Sequence, residues 1–306
     1  MPDLLLIVNP RSANGSTGRR WPAIEGKLRT LLPPFDVAFS ERPLHATAIA
    51  REAAGRYGCI ALVGGDGTVN EVVNGLAGSQ VPMALLPAGT ANILAKELRI
   101  PWDIPRAARL IPGGVVRRIA LGMVLPLNGR GSVGLSPEGR YFLCVGGAGP
   151  DGAIVNGVHE GLKKRVGVLA YWAEGVKQLF SYGFPEIRIR SNGRERKATI
   201  LVAGRTVHYG GPFKITTGAS LFEDRFEFLT NSRRSRLAYL GCLPALWLGK
   251  LRAKEGIETW KGTEAICEAA GSEPVYAQVD GEPAGRLPLV FRIVPDALSL
   301  VTPAAQ

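Results

Sequence analysis

Three short polar loops carry most of the reactive side chains in the first third of this 306-residue chain. The apolar run 59–63 passes straight into Gly64-Gly65-Asp66-Gly67-Thr68, and the run 83–86 into Pro87-Ala88-Gly89-Thr90-Ala91-Asn92. The run 4–8 passes into Asn9-Pro10-Arg11-Ser12, followed by Asn14-Gly15-Ser16. Glycines at the carboxyl end of a strand let backbone N–H groups approach phosphate oxygens, and the amino terminus of the next helix favours negative charge. Bare phosphate repels Asp66, so a carboxylate there suits a magnesium ligand, a proton acceptor or part of a water network serving both. A simpler account covers part of the pattern. Thr68 and Glu71 satisfy the T-x-x-E capping box, Thr90 suits an N-cap, and glycines mark any tight strand-to-helix turn. It leaves three glycines and an aspartate in one loop unexplained, so phosphate binding is the preferred reading.

The elements that must position these loops alternate in period. Residues 4–8, 37–40, 59–63 and 83–86 read as short buried strands, and 46–56, 68–76 and 90–98 as helices between them. Strand and helix in turn predict a doubly wound α/β half with a largely parallel sheet. Beyond about residue 115 the texture becomes glycine-rich and alternating, with antiparallel strands expected at 141–145, 186–190, 198–202, 226–229, 275–279 and 289–294. Asn192-Gly193 supplies the two positive-φ residues of a type I′ hairpin turn. Gly147-x-Gly149-x-x-Gly152 fits the dinucleotide fingerprint, but no second strand ending in an acid follows about 20 residues on, so it is discounted.

Composition narrows the classes. Apolar residues make up 46% and charged residues 21%, which excludes pervasive disorder. Four separated cysteines and three scattered histidines show neither a zinc pattern nor a disulfide framework. The amino terminus lacks a basic leader and the longest uncharged stretch, 237–249, contains Pro244, so a cytoplasmic protein without a spanning helix is expected. A net charge of +11 favours an anionic partner.

The ordered set Asn9-Pro10-x-Ser12, Gly64-Gly65-Asp66-Gly67-Thr68 with Asn70, Glu71 and Gly75, and Pro87-x-Gly89-Thr90-x-Asn92 resembles the diacylglycerol kinase catalytic family, which includes sphingosine, ceramide and bacterial lipid kinases. The likeness continues through Gly149-Pro150-Asp151-Gly152-Ala153, Tyr209-Gly210-Gly211 and Asp280-Gly281-Glu282. It implies an amino-terminal α/β domain like that of NAD kinase, over 1–118 and rejoined by 297–306, and a carboxy-terminal β-sandwich lipid domain over 119–296. ATP and lipid would meet between them, with transfer of the γ-phosphoryl group to a lipid hydroxyl such as that of diacylglycerol. By motif, Asn9, Ser12, Gly64, Gly65, Gly67, Thr68, Glu71, Gly89, Thr90 and Asn92 would bind the nucleotide. Asp66 would organise Mg2+ and water, Asp280 or Glu282 would accept the hydroxyl proton, Asp151 would serve the substrate, and Asp224 would hold a structural cation. Arg225 replaces the usual glycine beside that cation, Ala120 an aspartate linked to metal binding, and Ala13 a frequent glycine.

The lipid end is read from two segments. Apolar residues from Ile154 to Phe180, beside Lys163, Lys164, Arg165 and Lys177, have the spacing of an interfacial helix pair or of ordinary core. Arg233, Arg234, Arg236, Lys250, Arg252 and Lys254 bracket an apolar stretch that suits an anionic membrane surface. The expected partners are a lipid substrate and the inner face of a membrane bound peripherally, with a homodimer compatible and no nucleic acid. Alternatives are a catalytically impaired nucleotide or lipid sensor, motivated by Ala120, and a soluble kinase of the NAD kinase type.

Overall fold

The computed structural model describes residues 3–127, 135–157, 182–210 and 213–304. The chain divides into two compact units, one of residues 1–120 with 295–306 and the other of 121–294. In the first, β1 (Leu4–Val8), β2 (Phe35–Phe39), β3 (Cys59–Gly64) and β4 (Met83–Pro87) alternate with α1 (Ser16–Leu31), α2 (His45–Ala53), α3 (Asp66–Leu76), α4 (Ile93–Glu97) and α5 (Ile104–Ala108). The strands pair in parallel in the order β2-β1-β3-β4, which is the doubly wound arrangement expected from the alternation. Residues of β1, β3 and β4 are buried almost throughout, as strands covered on both faces must be.

Helix α1 is not among the helices expected from sequence, although Trp21, Ile24 and Leu28 are buried at helical spacing; Gly18 and Pro22 interrupt the pattern. Gly18 is required there, since a Cβ would meet the Pro10 carbonyl at 2.9 Å. Helix α4 is shorter than the 90–98 expected, starting only at Ile93. Strand β5 (Val115–Pro126) leads out of this unit. The last strand, β18 (Leu289–Thr302), returns, with Leu300 in parallel register with Met83 of β4. Arg118 holds that return, donating to Asp296 at 2.8 Å, to the Ser79 carbonyl at 2.6 Å and to Ser299 at 3.1 Å.

The second unit is built on antiparallel strands: β6 (Arg140–Phe142), β7 (Val145–Ala148), β8 (Ile187–Ser191), β9 (Arg194–Ala198), β10 (Ile200–Gly204), β11 (His208–Tyr209), β12 (Phe213–Lys214), β13 (Phe226–Asn231), β14 (Ile257–Gly262), β15 (Glu264–Ala269), β16 (Tyr276–Val279) and β17 (Glu282–Arg286). One sheet runs β14-β13-β10-β7-β16-β17, and in the other the first part of β18 pairs with β15, then β8 and β9. Asn192 and Gly193 turn the β8–β9 hairpin, both at positive φ. Phe142 and Phe291 from one layer meet Phe226 and its neighbour Phe228 from the other, with ring centroids 5.6 Å apart for Phe142–Phe226 and 6.3 Å for Phe142–Phe291. All four are fully buried and form the core of a sandwich. Among the described residues the unit also carries the α-helices α6 (Pro150–Gly157) and α7 (Arg236–Trp247). The stripe expected from Val158 to Phe180 and the second glycine of Tyr209-Gly210-Gly211 lie outside the described residues.

Candidate active site

In the first unit β1 and β3 are neighbours in the sheet but not consecutive in the chain, so the connections leave in opposite directions from that point. The carboxyl ends of strands at such a switch are where open α/β sheets leave a crevice for ligand. The loops after β1, β3 and β4 all open there. The amide of Asn9 donates to the Thr68 hydroxyl at 2.9 Å, joining the first loop to the second. Glycines 65 and 89 join the second to the third. A Cβ on Gly65 would sit 2.9 Å from the Gly89 Cα, and one on Gly89 would sit 2.5 Å from the Gly65 Cα. Two backbones therefore touch with no room for any side chain, which a solitary strand-to-helix turn does not require. Ser12 closes the first loop through backbone bonds to Asn9 and Gly15. Ala13, Asn14 and Gly15 follow at φ 49, 55 and 78°, so Ala13 bears a left-handed conformation natural to glycine.

Asp66, the first residue of α3, reaches across to the third loop. Its carboxylate accepts the Asn92 amide at 3.0 Å and the Ile93 amide at 2.7 Å, capping α4. Thr90 is exposed and outside the helix, so the N-cap expected of it is replaced by a carboxylate 27 residues before Ile93. Asn92 locks the loop from within, accepting from the Gly89 amide and donating to the Gly89 carbonyl, both at 2.9 Å. The capping box expected of Thr68 and Glu71 does not form. Helix α3 begins at Asp66 with no side-chain cap, Thr68 takes Asn9, and Glu71 accepts the Ala46 amide at 3.1 Å in the first turn of α2. Glu71 thus supports a neighbouring helix, and Asn9, Ser12, Gly64, Gly65, Asp66, Gly67, Thr68, Gly89, Thr90 and Asn92 share one sheet edge. Lys96 belongs with them and was not singled out from sequence. Its ammonium lies 5.4 Å from the centre of the Trp102 ring; burial lowers its pKa, with the charge of Asp66 opposing. Its position one helical turn after Asn92 was the available signal.

In the second unit Asp280 sits at φ 49° between β16 and β17, and its carboxylate accepts three amides: Leu143 at 2.8 Å, Cys144 at 2.9 Å and Val145 at 3.0 Å. That arrangement fastens the turn to the start of β7. Glu282, half-buried at the start of β17, is not used in those three bonds. Asp151 is buried in the first turn of α6 and accepts from Gln278 Nε2 at 2.7 Å, while Gln278 Oε1 accepts the Gly281 amide at 2.9 Å. Gln278, unremarked in the sequence, therefore links Asp151 to the Asp280–Glu282 turn. Burial pushes the Asp151 carboxyl up to about 7, with the Gln278 bond opposing. The Gly147-x-Gly149-x-x-Gly152 run has a different use from a dinucleotide site. Strand β7 is antiparallel to both its neighbours, Gly147 leaves space for the Asp151 carboxylate, and Gly152 lies against the Tyr276 carbonyl.

Comparison with known proteins bears on both units. The model of the "Diacylglycerol kinase catalytic domain" matches residues 3–124, and that of the "YegS C-terminal NAD kinase beta sandwich-like domain" matches 145–302, more than half of the chain. The chain belongs to the diacylglycerol kinase family. Within that family it is 29% identical over 299 residues to a Bacillus subtilis diacylglycerol kinase, covering 94% of this chain and 91% of the relative. A diacylglycerol kinase of Staphylococcus saprophyticus is 26% identical over 303 residues, covering 97% and 94%. A crystal structure of a Bacillus anthracis diacylglycerol kinase shares the fold with a TM-score of 0.76 at 21% identity, covering 98% of this chain and 96% of that one.

The diacylglycerol kinase family implies metal at two places, and the residues here fit one of them. Asp66 fits: a carboxylate oxygen that accepts one amide can still ligate an ion, and a magnesium ion that arrives with nucleotide phosphates takes only one or two protein carboxylates. A structural cation at Asp224 does not fit. The fully buried Arg205 donates to the carbonyls of Leu221 at 2.7 Å and Glu223 at 3.1 Å, and is drawn to Asp224. Its guanidinium already supplies the positive charge that gathers this loop; burial lowers its pKa only to about 10, so it stays protonated at neutral pH. Among the described residues no group of three or more His, Cys, Asp or Glu could hold a metal. Ala120, fully buried, offers no ligand where the family usually has a carboxylate.

Proposed function

We propose that this diacylglycerol kinase family member transfers the γ-phosphoryl group of ATP, with magnesium, to the hydroxyl of diacylglycerol or a related lipid at a membrane surface. The observation that carries the reading is the backbone contact of Gly65 with Gly89 at the carboxyl ends of β3 and β4, next to the β1/β3 switch point and braced by Asp66. Phosphoryl transfer asks little covalent chemistry of a protein and depends on holding phosphates and spreading charge. The glycine loop after β3 and the amino terminus of α3 can offer amides to the phosphates, and Lys96 adds a positive charge coupled to Asp66. What magnesium supplies when bound is neutralisation of charge on the β- and γ-oxygens, and Asp66 is the residue suited to hold it. The lipid hydroxyl oxygen forms the new bond to the γ-phosphorus, the bond to the β-bridging oxygen breaks, and ADP leaves. The hydroxyl proton passes to a carboxylate, for which Glu282 is the better candidate because three amides occupy Asp280.

Transfer of labelled γ-phosphate from ATP to a mixed lipid extract, with and without magnesium, tests this reading. Labelled lipid from wild type, lost without magnesium and in Glu282→Gln, is the expected result. Protein that binds ATP yet labels no lipid would instead favour the nucleotide sensor, a reading for which Ala120 is the specific observation.

A further inference from the structure

Helix α7 presents an apolar stripe outward. Its inner side is accounted for: the Tyr239 hydroxyl lies 2.7 Å from that of Thr199, the Tyr239 ring packs 4.5 Å from Phe184, and Ala245 is buried. On the opposite side Leu237 is 78% exposed, Trp247 66% and Leu248 69%, with Leu240 and Leu243 also exposed. These positions recur every three to four residues, so they form one continuous face rather than scattered leucines. From Arg233 to Lys254 the chain carries six basic residues and no acidic one. Arg233 pairs with Glu255, Arg234 with Glu186 and Arg252 with Glu227. Among the described residues no carboxylate lies within ion-pair distance of Lys214, Arg236, Lys250 or Lys254, and Lys214 lies beside Gly249 at the end of the helix.

We infer that α7 is the element by which this protein docks on an anionic lipid bilayer, with the Leu237–Leu248 face in the interface and the basic residues at the phosphate level. This rests on the kinase reading only in that a membrane is where the lipid substrate resides. An interfacial helix combines an exposed apolar face with a basic margin and favours tryptophan at the boundary, which is the composition of α7. The charge pattern selects the occupant. A second copy packed face to face would oppose two uncompensated basic margins, whereas an anionic bilayer neutralises them. No helix among the described residues is long and apolar enough to cross a membrane, so contact through this face would be peripheral.

Co-sedimentation of the full chain with vesicles tests the inference, comparing phosphatidylglycerol–phosphatidylcholine mixtures with phosphatidylcholine alone. Wild type should bind the anionic vesicles and not the neutral ones. Leu237→Glu with Trp247→Glu should abolish binding, and Lys250→Glu with Lys254→Glu should weaken it at least about fivefold for each charge removed. Thermal unfolding of each variant guards against misfolding; the lysine variants should not move the midpoint, and the variant carrying Trp247→Glu should lose only the edge contact of Trp247 with Phe213, with ring centroids 5.5 Å apart, and remain folded. Phosphorylation of a short-chain, water-soluble diacylglycerol should persist in the variants while phosphorylation of vesicle-borne substrate falls. Undiminished vesicle binding by both variants would overturn the inference. So would sedimentation equilibrium showing a homodimer that Leu237→Glu dissociates. If wild type phosphorylates neither form of lipid the kinase reading fails, while the vesicle data still decide the docking face.

Discussion

Asp66 accepts amides from Asn92 and Ile93, so Asp66→Asn removes more than a charge. One oxygen becomes an NH2 that faces an N–H donor, and α4 loses part of its cap. The expected outcome is a loss of about 2 kcal/mol in chemical denaturation together with a fall in phosphotransfer of roughly 100-fold or more. Asp280 and Glu282 should separate in the opposite sense. Asp280→Asn disturbs three amides and should lower both stability and kcat, whereas Glu282→Gln should cut kcat by about 100- to 10,000-fold with the smaller loss of stability of the two. Equal stability losses in the two variants would refute the division of labour. Arg205 yields a prediction without activity as readout. Chelation with EDTA should leave the midpoint unmoved, while Arg205→Met, which strands the Leu221 and Glu223 carbonyls, should cost about 2–3 kcal/mol. Little of this could be read from sequence. An arginine in a strand-rich segment reads as a surface charge, and nothing near Arg205 in the chain announces that it is buried.

At the scale of elements, the glycine loops are where sequence was most informative. Gly65 and Gly89 could be recognised because a backbone approach of this kind excludes every other residue type. Helix α4 misled, since Thr90 looks like an N-cap by type and its real cap comes from another loop. The link from α6 through Gln278 to the β16–β17 turn has a pH signature. Burial keeps Asp151 protonated up to about 7, against an ordinary value of 3.8. Between those values the folded state retains a proton that the unfolded state has lost, so the contribution of Asp151 to stability falls as pH rises, by at most about 1.4 kcal/mol per unit. Asp151→Asn keeps an acceptor for Gln278 and should flatten the urea midpoint over that range. A wild-type midpoint with the same pH slope as the variant would show that Asp151 does not carry the effect.

For the whole molecule, the +11 charge and the basic margin of α7 predict a salt effect that depends on the form of substrate. Raising ionic strength from about 0.05 to 0.5 M shortens the screening length several-fold and should depress activity on anionic vesicles, with activity on a soluble short-chain lipid little changed. Equal inhibition of both would place the sensitive charges in nucleotide binding instead. Residues close together in the chain settle the order of elements, the change from parallel α/β to antiparallel β, and the glycine loops at the carboxyl edge of the parallel sheet. Strand period, helix period and the need for glycine are local properties. The folded structure alone assigns the carboxylates: Asp66 to Asn92 and Ile93, Glu71 to Ala46, and Asp280 to Leu143, Cys144 and Val145. A carboxylate takes whichever amides the packing brings within about 3 Å, and these lie from 25 to 137 residues away along the chain.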